Sequence, residues 1–191
     1  MNVPTGTTTR TDPQEYLTRP APDTLRLERL LPGPIERVWS YLTDSEKRGQ
    51  WLASGEMDLR VGGPVEHVFD NSNLAGQEDP PPAKYARHAS PSTLRGRVTA
   101  CEPPHLLAYT WGESSGTDSL VTFELQRQGE QVLLVLTHSR IVAHDDLIGA
   151  AAGWHTHIGI LADRLAGRQP PRFWPTHTRL EAEYEQRIPR T

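Results

Sequence analysis

The sequence predicts an α+β domain: about six antiparallel strands closed on one side by a long helix near the C-terminus. Three observations carry that expectation. Runs of period-2 alternation recur along the chain between Gly and Pro turns. They are not interleaved with helices, as a parallel βαβ sheet would require. One apolar stripe at helical spacing (Leu147, Ala151, Trp154, Ile158, Leu161, Leu165) runs over about five turns.

The elements follow in order. Residues 1–22 hold Thr, Pro, Asp and Arg with almost no apolar periodicity and read as a flexible arm. Leu25, Leu27, Arg29 and Leu31 alternate with Arg26, Glu28 and Leu30, which predicts a strand. Pro32-Gly33-Pro34 ends it, and Pro34 suits the first turn of a helix. Ile35, Val38, Trp39 and Leu42 give that helix its apolar face. Thr43…Glu46 has capping-box spacing and predicts a second short helix ending near Trp51-Leu52. Met57–Val61 and Val65–Phe69, joined by Gly62-Gly63-Pro64, read as a hairpin. Residues 70–92 contain four prolines and little apolar material, so they read as a long inserted loop, a lid or a disordered segment. Strands are expected at Thr93–Glu102, Leu106–Trp111, Ser119–Gln126 and Gln131–His138. The last is apolar on both faces, which predicts cover on both sides or contact with a ligand. Asp145 and Asp146 suit the first turn of the long helix, Gly167 its C-cap and Pro170-Pro171 its stop. The organisation is thus an arm (1–22), one domain (23–168) and a tail (169–191) with charged and aromatic residues and no strong periodicity.

Composition narrows the function classes. A chain of 191 residues fits one domain. The single cysteine, Cys101, excludes an intrachain disulfide and a multi-cysteine metal site, and fits a reducing cytoplasm. A net charge of −4 argues against nonspecific nucleic-acid binding. The N-terminus carries no secretory h-region, and no apolar run is long enough to span a membrane. Hydrophobic content of 36% and a mean hydropathy of −0.58 are low for one domain, as polar extensions would make them. Proline is in excess, at 17 residues, and twelve of these fall in the arm, the 70–92 loop and the tail.

Four pieces of the chain, in order, resemble one family. They are Ile35-Glu36-Arg37-Val38-Trp39 with Leu42-Thr43-Asp44 and Trp51-Leu52; Met57-Asp58-Leu59-Arg60-Val61-Gly62-Gly63; Arg97-Val98 through Glu102-Pro103-Pro104-His105-Leu106 to Tyr109-Thr110-Trp111; and Gly153-Trp154-His155 with Leu161 and Leu165. Together they resemble the activators of heat-shock protein 90 ATPase homologues, of the START-like, birch-pollen-allergen-like superfamily. The resemblance implies a helix-grip fold: a curved antiparallel sheet of six to seven strands around a long C-terminal helix, usually with an apolar cavity between them. The superfamily includes lipid binders, hormone receptors, polyketide cyclases and co-chaperones, so the fold does not settle the function. The 70–92 insertion, the arm and the tail depart from the common pattern. Residues 1–22 are too short to be the chaperone-binding domain of the eukaryotic co-chaperones, which argues against a chaperone partner.

No cofactor motif or metal cluster stands out. His155 and His157 lie two apart on a helix, about 200° around it, and cannot share a metal. There is no G-x-S-x-G, P-loop or dinucleotide-binding motif, and Cys101 has no local base. The aromatic set is the most informative feature. Phe69, Tyr109, Trp111, Phe123, Trp154, Ile158 and Leu161 fall on sheet or helix faces that would line a cavity, with His155 or Tyr109 orienting a polar group. The expected function is binding of a small hydrophobic or aromatic molecule. The alternatives are a cyclase- or hydratase-type enzyme using pocket His and Tyr, and a stress-linked co-chaperone. Oligomeric state stays open, a homodimer included.

Overall fold

Leucines alternating with charged residues from Thr24 onward make a strand with one core-facing side. In the computed structural model, which describes residues 16–76, 79–112 and 118–190, this strand is β2 (Thr24–Pro32), with Leu25, Leu27 and Leu31 buried. A short strand β1 (Thr18–Ala21) precedes it, and α1 (Ile35–Thr43) and α2 (Ser45–Arg48) follow. Then come β3 (Pro64–Phe69), β4 (Ser92–Glu102), β5 (Leu106–Trp111), β6 (Ser119–Gln128) and β7 (Gln131–Ser139). Two helices close the chain, α3 (His144–Leu165) and α4 (Phe173–Arg187).

The strands form one antiparallel sheet in the order β1-β2-β7-β6-β5-β4-β3. β2 lies beside β7, with Leu27 opposite Leu136 and Leu31 opposite Val132. The strand before α1 therefore pairs with the strand before α3. All six residues of the α3 stripe are buried, and Trp154 meets Phe123 of β6 at 5.8 Å between ring centroids. This is the helix-grip arrangement that the resemblance implies. α3 ends in a Schellman motif: Gly167 has φ +69°, its N–H bonds Arg164 O at 3.2 Å, and the Arg168 N–H bonds Asp163 O at 2.8 Å.

Several local expectations are corrected. Met57–Val61 is not a strand; two isolated bridges, Ser54 to Val68 and Met57 to Val65, flank β3 instead. The chain folds tightly there, because the Asp58 carboxylate holds Arg60 at 2.5 Å and Gly63 packs where a Cβ would lie 2.3 Å from Asp58 O. The cap of α2 is Asp44, which accepts from the Lys47 N–H at 3.0 Å, whereas Thr43 closes α1. Pro34 sits at the N-cap of α1, one residue before its first turn. On the outer face of β7, Val135 is buried but Leu133 only half-buried.

The larger corrections concern the extensions. The stretch expected as a tail without periodicity contains α4, whose Phe173, His177, Leu180 and Tyr184 are buried at spacings of 4, 3 and 4. The arm expected over 1–22 gives way to order at its end. β1 pairs with β2, and the Leu17 N–H donates to Tyr184 Oη at 2.9 Å; residues 1–15 lie outside the described residues. The 70–92 insertion contains a 3-10 helix, Ala83–His88, and buries Leu74 and Ala75.

Insertion and α4 fasten to each other. No residue at the start of α4 caps it with its own side chain. Asp79 of the insertion does so from outside, its Oδ2 accepting from the Trp174 N–H at 2.9 Å, where a helix favours negative charge. Trp174 Nε1 donates to Ser72 Oγ at 3.1 Å, and Gln169 reaches the Ala75 carbonyl at 2.6 Å. Because α4 is seated in the core, Leu180→Ala is expected to cost about 2–4 kcal/mol in urea unfolding; a loss under about 1 kcal/mol would show that this helix contributes no core.

Candidate functional site

A cleft of about 1260 Å³ lies between one end of the sheet, the first half of α3, α4 and the insertion. It exists partly because side chains are missing. Gly149 and Gly153 of α3 line it, and a Cβ added at either would meet nothing within 4 Å. A glycine inside a helix costs about 1 kcal/mol relative to alanine, so two here carry a stability cost that clears space rather than avoiding a clash.

The floor is aromatic. Trp111 at the end of β5 and Trp154 of α3 lie 5.0 Å apart between ring centroids, and Phe69 at the end of β3 lies 5.8 Å from Trp111. α4 adds Phe173 and Trp174, which meet edge to face at 5.0 Å. The insertion forms the facing wall. Tyr85 stacks on Trp174 at 5.4 Å, its hydroxyl donates to Glu181 Oε1, and Lys84 Nζ donates to the same oxygen at 2.8 Å. Burial pushes the Glu181 carboxyl up, but the bonds from Lys84 and Tyr85 outweigh it and hold the group below its ordinary range.

Three histidines bring polar atoms to these walls. Trp154 Nε1 donates to His138 Nδ1 at 2.9 Å, so the His138 proton sits on Nε2, which lies 2.8 Å from Ser119 Oγ. His157 Nδ1 lies 2.7 Å from the Trp51 carbonyl, which can only accept, so Nδ1 carries the proton and Nε2 a lone pair. Burial drives both imidazoles down to about 4, against the raising effect of the Trp51 carbonyl on His157. His177 of α4 is also lowered by burial. All three are neutral at pH 7.

The structure distributes the sequence-derived candidates over three places. Phe69, Trp111 and Trp154 line the cleft. Tyr109, Phe123, Ile158 and Leu161 are buried in the closed core beyond it, at most 1% exposed. His155 lies elsewhere: it turns to α4, where its Nδ1 is 2.9 Å from Tyr184 Oη. Tyr184 Oη also accepts from the Leu17 N–H. Lining residues without a sequence-derived role include His138, His157, Phe173, Trp174 and His177, with Tyr85, Lys84, Asn71 and Glu181. His138 continues the alternation of Val132, Leu134 and Leu136, and His157 lies one turn beyond Trp154. Both signals are visible once histidine counts as a core residue.

Two further buried groups, His67 and Arg48, lie outside the cleft lining. His67 packs 5.1 Å from Tyr109 and 5.4 Å from Trp111, and burial first, then the Arg48 charge, drives it down to about 3. Arg48 donates to the carbonyls of Ala53 and Thr43, both at 3.1 Å, and to that of Gly55, which ties α2 to the strand-like segment beside β3. Among the described residues no group of three His, Cys, Asp or Glu side chains is arranged to hold a metal ion. None of the described helices is long and apolar enough to cross a membrane.

The depressed histidines set a pH dependence. His67, His138 and His157 hold folded-state values of about 3, 4 and 4 against an ordinary 6.5. The unfolded chain therefore binds more protons below pH 6.5, and stability falls as pH drops from there toward 4. The slope is up to about 1.4 kcal/mol per pH unit for each group. Urea midpoints should fall steeply between pH 6.5 and 4.5, and a flat profile would contradict burial of the three rings.

Residues 32–166 match the family model described as activator of Hsp90 ATPase homolog 1-like protein. The solution NMR structure of the protein encoded by gene BPP1335 from Bordetella parapertussis shares 44% identity, with 93% of each chain covered and a TM-score of 0.78. The crystal structure of CalU16 from Micromonospora echinospora shares 21% identity over 85% of this chain and 86% of its own, with a TM-score of 0.60. EF2215 from Enterococcus faecalis, described as a conserved protein of unknown function, shares 20% identity over 90% of each chain, with a TM-score of 0.61. The last two likenesses speak to the fold alone. No curated protein matches the chain. With its long helix gripped by one antiparallel sheet and the family match running from the end of β2 to the end of α3, the chain belongs to the activator of Hsp90 ATPase homolog 1-like family and has its START-like fold.

Proposed function

We propose that the cleft binds a small hydrophobic or aromatic molecule. The observation that carries this reading is the pair of glycines on α3, which leave open space beside the half-buried rings of Phe69 and Trp111. A concave, mostly apolar site with a few placed polar atoms is the usual form of a small-molecule site. Burying apolar surface would drive association. Tyr85 and its neighbours in the insertion would cover the ligand from the solvent side.

A cyclase- or hydratase-type enzyme is a second reading, favoured by one observation: the neutral His157 has a basic nitrogen at the cleft wall. In that reading His157 takes the place first given to His155 and Tyr109. A co-chaperone role rests on the family description alone.

Gly153→Leu tests the binding reading. Leucine is a better helix former than glycine and enters open space, so the melting temperature is expected to hold or rise. Binding of an apolar aromatic probe, followed by tryptophan fluorescence and thermal shift, is expected to weaken at least tenfold. Undiminished binding in a folded Gly153→Leu protein would place the ligand elsewhere.

A further inference from the structure

The cleft holds buried polar atoms without a partner, and an open imidazole nitrogen lies beside them. His157 lines the cleft and is 6% exposed; its Nδ1–H is spent on the Trp51 carbonyl, and Nε2 has no partner among the described residues. His177, 5% exposed, faces it across Phe173. The His157 ring lies 4.9 Å from the Phe173 ring, and the His177 ring stacks on Phe173 at 5.5 Å. Nδ1 of His177 is buried without a partner among the described residues. Asn71 of the insertion, also in the lining, has a buried Oδ1 with no partner. Buried polar atoms are nearly always paired, so two unpartnered buried atoms, His177 Nδ1 and Asn71 Oδ1, beside the open Nε2 of His157 call for a common explanation.

The donors of the cleft show the opposite pattern. Trp154 Nε1 is used by His138 and Trp174 Nε1 by Ser72. Lys84 and Tyr85 both donate to Glu181, and Arg190 donates to Asp145 at 2.5 Å. The indole, ammonium and phenol donors beside α3 and α4 are thus engaged, while His157 Nε2 keeps a lone pair. The imidazoles of the floor are neutral, and the cations Arg87 and Arg140 of the lining lie on the insertion and just after β7.

From this we infer that the ligand is an uncharged aromatic molecule carrying a hydrogen-bond donor, an O–H or N–H, which His157 Nε2 accepts, with His177 and Asn71 as further acceptors. The inference rests on the binding reading above and adds the chemistry that selects among apolar ligands. An aromatic ring bearing only ether or carbonyl oxygens would seat the same surface but leave the acceptors unpaired, which is the more costly side of a lost hydrogen bond.

The test uses matched probes on the full chain: 2-naphthol, which can donate, and 2-methoxynaphthalene, which cannot, titrated by calorimetry at pH 7. The naphthol is expected to bind about tenfold tighter, the ratio that one net hydrogen bond gives. In His157→Phe, which keeps a ring beside Phe173, the ether should bind as before and the naphthol should lose its advantage. Since that variant leaves the Trp51 carbonyl unpaired and could misfold, a second measurement stands beside it. In wild-type protein with ¹⁵N-labelled histidine, saturating naphthol should shift the Nε2 resonance of His157, and the ether should not. Equal affinities for the two probes, or an unmoved Nε2 signal with naphthol bound, overturn the donor inference and leave the apolar cleft standing. Failure of both probes to bind overturns the cleft reading itself.

Discussion

The cleft depends on where α4 sits, and α4 depends on a carboxylate it does not own. α3 is buried on more than one side. Its stripe of Leu147 to Leu165 meets the sheet, while Ile148, Ala152 and Ile160 are buried as well. A helix hydrophobic around most of its circumference needs a second layer. α4 supplies it, with Tyr184 bonded to His155 and Phe173 packed on His157. Pro170-Pro171 keep α4 from continuing α3, and its first turn starts with unpaired N–H groups. Asp79 satisfies one of them from the insertion. Deleting the insertion would therefore uncap a helix nearly a hundred residues away, and deleting the helix would strip the insertion of its partners.

Magnitudes identify which contacts hold this joint. The ion pairs contribute little: Lys84 is 62% exposed in its pair with Glu181, and Arg172 is 56% exposed at 3.9 Å from Asp79. Pairs whose cation stays this exposed are screened by solvent, and a fully exposed pair is worth only about 0–1 kcal/mol. The weight falls on Trp174, 4% exposed, which combines the Asp79 cap, the Ser72 bond and the Tyr85 stack. A cap contributes about 1 kcal/mol, and a buried tryptophan several times that on truncation. The insertion is held to α4 by one aromatic side chain and one carboxylate more than by its surface charges.

Much of the fold was legible in the sequence, because alternation and helical spacing reflect burial directly. The paired strands, the α3 stripe and the Gly167 stop are all carried by residue type alone. α4 was hidden by its composition. His177 stands in the 173-177-180-184 spacing as a polar residue by type, and Pro175 falls inside the first turn, where it is tolerated but reads as a breaker. The site was half legible. Alternation puts Tyr109 and Trp111 on one face but says nothing of depth, and two residues along a strand separate a closed core from an open end. Helical phase separates His155 from His157, yet only the seat of α4 decides which one reaches the cleft. Met57–Val61 shows the converse failure, since its apolar spacing is strand-like while the Asp58–Arg60 contact and the tight Gly63 turn fold it back.

The division between core and wall bears on ligand choice. Trp111 and Trp154 fall within residues 32–166, the family-matched core, and supply apolar area that any aromatic ring can use. Phe173, Trp174 and His177 lie beyond it, and their wall stands only because the insertion caps and clamps α4. The same sheet and α3 without this wall would leave His157 open to water, where a lone pair has no selective value because water satisfies it. With Phe173 packed 4.9 Å from it, the same ring faces the cleft beside an aromatic wall. The fold therefore leaves a cleft beside the shared core, and the proline-rich extensions supply its second wall, on which the proposed hydrogen-bond preference rests.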